Sequence, residues 1–212
     1  MKRALFTILL CFFCLISATK VNAGKFGVTG GISLMELQNV SCKAATGYHA
    51  GLTYKFKFAD GFALQPSLLY HAKATASETG GASKLNLSVG YLELPVSVQW
   101  GPDLVLFRPY LDVSPFIGYG LNKNVTVQTP DASATQVTTS NDNWKGLNRL
   151  EYGLGLGAGI EIWEFQLVCR YNWNFGPLLD SAGKVDASTA WGQGLNKSNF
   201  GGVTLSLSWL FR

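Results

Sequence analysis

The sequence predicts an all-β protein: an eight-stranded antiparallel up-and-down transmembrane β-barrel. Three observations carry that expectation. Beyond residue 24 the apolar residues recur with period two nearly everywhere, and no helical stretch interrupts them. The connections between the alternating segments are short and long by turns, the arrangement of outer-membrane barrels with tight periplasmic turns and long external loops. The two faces of each segment also differ in chemistry. One is an unbroken run of Leu, Phe, Tyr and Trp. The other carries Lys, Arg, Glu and Asp together with glycine. Charged residues make up only 14% of the chain and aromatics 13%, a poor composition for a soluble domain.

The segments follow in order. "KFGVTGGISL" places Phe26, Val28, Gly30, Ile32 and Leu34 on one face. "GYHAGLTYKFKF" sets Tyr48, Leu52, Tyr54, Phe56 and Phe58 against His49, Thr53, Lys55 and Lys57. "FALQPSLLYHAKA" sets Phe62, Leu64, Leu68 and Tyr70 against Gln65, Ser67, His71 and Lys73. In "LNLSVGYLELPVSVQW", Leu85, Leu87 and Val89 share a face with Leu92, Leu94, Val96, Val98 and Trp100 only if the phase slips near Gly90, which reads as a β-bulge. The fifth segment sets Pro109, Leu111, Val113 and Ile117 against Arg108, Tyr110, Asp112 and Ser114. The sixth sets Tyr152, Leu154, Leu156 and Ile160 against Glu151, Glu161 and four glycines. The seventh sets Phe165, Leu167, Cys169, Tyr171 and Trp173 against Gln166, Arg170, Asn172 and Asn174. The eighth, "GVTLSLSWLF", sets Val203, Leu205, Leu207, Trp209 and Phe211 against Thr204, Ser206 and Ser208.

Each segment reaches the ~9–11 residues with which a tilted strand crosses a bilayer. Short connections are expected at 59–61, 101–105 and 163–164, and long ones at 35–46, 74–84, 122–149 and 176–199. The 122–149 stretch has two β-like runs about "PDAS", so the flanking strands are expected to extend outward there. A lipocalin-like soluble barrel would use the same alternation inverted, and the charged glycine-bearing faces exclude it by suiting a narrow lumen. Backbone closure of the last strand on the first leaves no edge unpaired in lipid. Its aromatic end, Trp209 and Phe211, fits an interfacial belt and the kind of terminus that the bacterial barrel-assembly machinery recognises, although Arg212 follows.

Residues 1–23 read as a secretory signal peptide: Lys2 and Arg3, a run of apolar residues too short to span a membrane, then "VNA". The barrel domain is accordingly 24–212. Without Lys2, Arg3 and Lys20 the 17 basic residues fall to 14, against 13 acidic ones, so nothing points to nucleic acid. Cys42 and Cys169 remain and are expected as free thiols.

The chain resembles the PorT-like outer membrane β-barrel domain family of Bacteroidota. "YLELPVSVQW" (Tyr91 to Trp100) is the most specific element. "GYHAGL", "FALQPSLLY", "RPY", "GLGLGAGIE" and "RYNWNFG" follow in family order. "TGGIS" (Thr29 to Ser33) and Ser67 depart from the family pattern. The resemblance implies the fold and the outer membrane, and no single activity.

The candidate site is the lumen. Lys55, Lys57, Lys73, Glu93, Arg108, Asp112, Glu151, Glu161 and Arg170 are predicted to face inward, as mixed charges that pair and fill a narrow interior. Glu93 and Arg108, on neighbouring strands, are the expected partners. A tight turn at "ADG" sets His49 opposite His71, with the position across from His71 on the fourth strand near Ser88. The histidine pair lacks a third ligand at its height, so no metal and no cofactor is expected. An acyl-hydrolase site would need Ser beside His on the external rim with an orienting acid. The function expected is therefore a non-enzymatic envelope role, structural or partner-binding. The chain is expected to be a monomer in outer membrane lipid, using the four long loops for any protein partner. Two alternatives are a narrow channel for ions or small solutes and a lipid-modifying enzyme at the rim.

Overall fold

The computed structural model describes residues 24–37, 43–79, 83–128, 148–176 and 199–211. Eight strands lie in sequence order around one closed barrel: β1 (Lys25–Leu37), β2 (Lys43–Ala59), β3 (Phe62–Thr79), β4 (Ser83–Trp100), β5 (Arg108–Gln128), β6 (Leu150–Ile162), β7 (Phe165–Asn174) and β8 (Phe200–Phe211). Neighbours pair antiparallel throughout, and β8 closes on β1 from Phe26 opposite Phe211 to Leu37 opposite Phe200. With the sheet closed, no strand presents an unpaired edge to its surroundings.

The pleat sorts the side chains as the period-two pattern requires. Ile32, Tyr48, Leu52, Leu94, Leu111, Ile117, Tyr152, Leu207 and Trp209 are exposed on the outer surface. Ser33, His49, Lys55, Gln65, Glu93, Gln99, Asp112, Ser114, Glu151, Gln166 and Ser206 are buried inside. A soluble protein does the reverse, so this outer surface has lipid as its solvent. Cys169 is a free thiol on the outer face. Its register partner on β8, Leu205, is exposed there as well.

One end carries the tight connections: Asp60–Gly61, residues 101–107 and Trp163–Glu164. Gly61 takes a positive φ of 75°, which a Cβ would resist. Its carbonyl accepts the Gly101 N–H at 2.9 Å, which ties two hairpin ends together. At the other end the strands run further than expected. β3 reaches Thr79 and β4 starts at Ser83, so most of the predicted 74–84 loop is strand. β5 continues to Gln128, giving one of the two extensions foreseen at 122–149. Residues 1–23, Cys42 and most of the other long loops lie outside the described residues.

Two register expectations need correction. β3 and β4 stay paired as far as Thr79 opposite Ser83, and in that register His71 faces Tyr91 rather than Ser88, which pairs with Ala74. The irregularity near Gly90 exists, but its extra residue belongs to β5. Gly90 pairs with Asn122 and Tyr91 with Gly120, leaving Leu121 between them. β4 itself keeps its alternation: Val89 faces Lys73 and is fully buried, pointing inward rather than to lipid.

Candidate functional site

The interior is a stack of polar layers. At the turn end, Lys55 donates to Glu161, with Lys25 at 3.8 Å and Arg108 at 3.7 Å from the same carboxylate. Arg108 also donates to the Gly61 carbonyl at 2.9 Å and to Gln99 Oε1 at 3.3 Å, and its guanidinium stacks 5.5 Å from the Tyr110 ring centre. Asp103, in the 101–107 connection, reaches back over this mouth: its Oδ1 accepts from Lys57 at 2.8 Å and lies 3.1 Å from Arg108 Nε. Burial opposes ionisation of the Asp103 carboxyl, but the Lys57 hydrogen bond and the charges of Lys57, Arg108 and Lys55 outweigh it and hold the carboxyl below its ordinary range. Glutamines join this layer to the next. Gln99 donates to Gln65 at 2.8 Å, Gln65 to Thr53 at 2.9 Å, and Gln166 to Gln99 at 3.3 Å.

In the middle, Arg170 Nε donates to Asp112 Oδ1 at 2.7 Å and its Nη2 to Ser97 at 3.0 Å. His49 and His71 face each other as expected, rings edge-to-face with centres 5.3 Å apart. His49 Nε2 shares a 2.7 Å hydrogen bond with Ser206 Oγ, and His71 Nδ1 one of 3.0 Å with Glu93. They border a cavity of about 30 Å³, also lined by Arg170, Asn172 and Thr204, which has room for a water molecule or two.

Toward the loop end, Lys73 stands between two carboxylates, 2.8 Å from Glu93 and 2.9 Å from Glu151. Asn174 donates to Glu151 at 2.8 Å. The Lys73 ammonium sits 5.2 Å from the ring centres of both Tyr91 and Phe116. Met35, Val89, Tyr91, Phe116 and Phe200 are buried around this level. A second cavity here, lined by Tyr91, Glu151, Asn174 and Phe200, measures only about 10 Å³.

The predicted lumen residues thus come together, with two differences. Lys57 lies at the mouth and is half-exposed rather than enclosed. Glu93 and Arg108 are not partners. The β4–β5 register sets Glu93 opposite Gly118, ten residues along the strand from Arg108, so Glu93 binds His71 and Lys73 while Arg108 binds Asp103 and Glu161. Sequence reasoning missed Asp103, which was read only as part of a turn, and Ser206, whose place on the polar face of β8 was the one available signal.

Three of the four glycines of β6 make this packing possible. A Cβ on Gly155 would stand 2.4 Å from Arg170 Cδ, one on Gly153 2.5 Å from the Phe116 ring, and one on Gly159 2.4 Å from the Tyr110 ring. Each therefore cedes its inward space to a large side chain from a neighbouring strand. The Ser206–His49 contact has the geometry of a nucleophile and base. However, it is buried in the lumen rather than set on the rim, and no acid partners His49 Nδ1 among the described residues. No group of three or more metal-ligating side chains occurs among the described residues.

The chain was compared with known proteins. Among solved structures it is similar to Neisserial surface protein A, at 9% identity and a TM-score of 0.47, covering 89% of this chain and 97% of that one. It is similar to the attachment invasion locus protein Ail of Yersinia pestis, at 13% identity and a TM-score of 0.44, covering 90% and 100%. It is also similar to a major outer membrane protein of Thermus thermophilus, at 13% identity and a TM-score of 0.46, again covering 90% and 100%. No curated protein matches the sequence. Residues 21–180, most of the chain, match a protein family described as the outer membrane protein beta-barrel domain. The chain belongs to that family, and its place is the outer membrane.

Proposed function

We propose that this barrel serves the cell envelope as a non-catalytic structural or partner-binding protein whose interior is a filled plug. One observation carries the reading: charges of both signs are paired across the lumen at three heights, through Lys55–Glu161, Arg170–Asp112 and Lys73 with Glu93 and Glu151. Eight strands enclose a space that side chains alone can occupy, and cavities of about 30 and 10 Å³ do not admit a hydrated ion. In this reading residues 1–23 direct export and are removed, the barrel-assembly machinery inserts the chain, and the protein acts as a monomer. It is a PorT-like protein of a Bacteroidota envelope, and any partner meets it at the loop end.

Planar-bilayer recording tests the plug. The purified barrel is expected to give no stepwise conductance, whereas reproducible unitary currents would replace the reading with a narrow channel. Cross-linking in native outer membranes, with a tag in the 122–149 loop, tests the partner. Repeated recovery of the barrel alone would leave only the structural role. The rim-enzyme alternative predicts that His49→Ala abolishes a lipid product. Identical lipid profiles in both strains are expected instead.

A further inference from the structure

Most exposed apolar side chains lie along strand faces, where lipid covers them. Apart from Phe175, just past the end of β7, the five others among the described residues lie in the connections at the turn end. Leu104, Val105, Leu106 and Phe107 stand between β4 and β5, and Trp163 between β6 and β7. Val105 is 102% exposed, Trp163 76% and Leu106 71%, so the barrel itself offers them no cover. The backbone holds both tips out firmly. The Leu104 N–H donates to the Phe107 carbonyl at 3.2 Å, closing a tight turn over Val105 and Leu106. Immediately before it, Asp103 is tied to Lys57 and Arg108. Trp163 has φ 57°, a left-handed conformation that two-residue hairpin turns ordinarily give to Gly, Asn or Asp. An indole kept at such a position, pointing out of the fold, is unexplained by packing.

The two tips belong together. β5 and β6 are neighbours, and Arg108 pairs with Glu161, so the connections leave the rim side by side. The third connection, at Asp60–Gly61, carries no large apolar residue, and Asp60 is exposed. The tips of the two neighbouring connections are therefore apolar, and the tip of the third is polar.

We infer that Leu104–Phe107 and Trp163 form a lipid-anchoring edge that sinks into the headgroup–acyl boundary of the periplasmic leaflet. The β4–β7 side of the barrel then sits deeper in the membrane than the Asp60 side. Continuity with the lipid-facing surface selects this occupant. The tip leads directly into Trp100 and Leu111, register partners that are both exposed on the outer face. Indole and aliphatic side chains at that depth match what the interface accommodates. Charge does not select the lipid, because Lys25 and Lys57 share the rim with Asp60, Asp103 and Glu164. Insertion is accordingly independent of acidic headgroups.

The test places an environment-sensitive NBD probe at Leu106→Cys, Trp163→Cys or Asp60→Cys, each with Cys42→Ser and Cys169→Ser, in barrels reconstituted into phosphatidylcholine nanodiscs. Folding is checked by heat-modified gel migration. Probes at 106 and 163 are expected to emit at shorter wavelength than the probe at 60. They should be quenched by shallow doxyl-labelled lipid and be several-fold less accessible to iodide. Adding phosphatidylglycerol should change none of these values. Equal iodide access at 106 and 60 would overturn the inference. So would shielding at 106 that appears only after a periplasmic extract is added, which would identify a protein as the occupant.

Discussion

Replacing Lys73 by methionine separates a filled interior from a watery one. The Lys73 ammonium lies 2.8 Å from Glu93 and 2.9 Å from Glu151, and all three side chains are buried. Methionine keeps most of the volume but leaves two carboxylates facing each other without the cation between them, while His71 still bonds Glu93 and Asn174 still bonds Glu151. Removing one partner of a buried pair costs about 3–5 kcal/mol. That corresponds to a loss of roughly two to three and a half decades in the folded-to-unfolded ratio. In a lumen open to water the same attraction is worth only about 1 kcal/mol. Urea titration in vesicles, followed by tryptophan emission and gel mobility, measures the difference. The combination Lys73→Met with Glu151→Gln should regain much of the loss, because it removes the repulsion that the single change creates. A single-variant cost at or below about 1 kcal/mol, with no rescue, would refute the paired-plug argument.

Three further outcomes follow from the same geometry. Arg170→Met strands the fully buried Asp112 and should cost about 3–5 kcal/mol, whereas Arg170→Met with Asp112→Asn should cost markedly less in the same titration. Gly159→Val drives a side chain into the Tyr110 ring and should cost about 1–3 kcal/mol, while Ala158→Val, facing lipid one residue away, should be close to neutral. Asp103, with its carboxyl held below the ordinary range, adds stability above its unfolded value and loses it as pH falls through the lower folded value. Because Asp103 is half-exposed, the effect is at most about 1 kcal/mol, and Asp103→Asn should remove that acid-side slope from a pH series of urea midpoints.

The fold was legible because a barrel strand has only two faces and the chemistry of each is written at period two. His49 opposite His71 could be read for a related reason: pairing same-face residues across the short turn gives that register, and although the pair at the turn itself is Ala59 with Phe62, the shift between Lys57 and Ala59 restores it. The β3–β4 register was not legible, since the 74–84 stretch looks like loop and the strands nevertheless run through most of it, to Thr79 and from Ser83. Nor was the ownership of the bulge. A phase change beside Gly90 and an extra residue on the facing strand produce the same mismatch, and only the pairing with β3, which is continuous across Gly90, tells them apart.

Which charges pair was legible least of all, and this bears on function. Alternation assigns a side chain to the lumen but not to a height, and partners across a barrel lie on strands far apart in sequence. Lys73 on β3 meets Glu151 on β6, and Arg170 on β7 meets Asp112 on β5. Their heights follow from strand stagger, which closure imposes on all eight strands at once. The same closure brings three of the β6 glycines level with a bulky neighbour, so Arg170, Tyr110 and Phe116 can cross the lumen. Those crossing side chains occupy the space that a solute path would need. The interior residues that looked most chemical in the sequence are thereby engaged with one another rather than turned toward a path through the barrel.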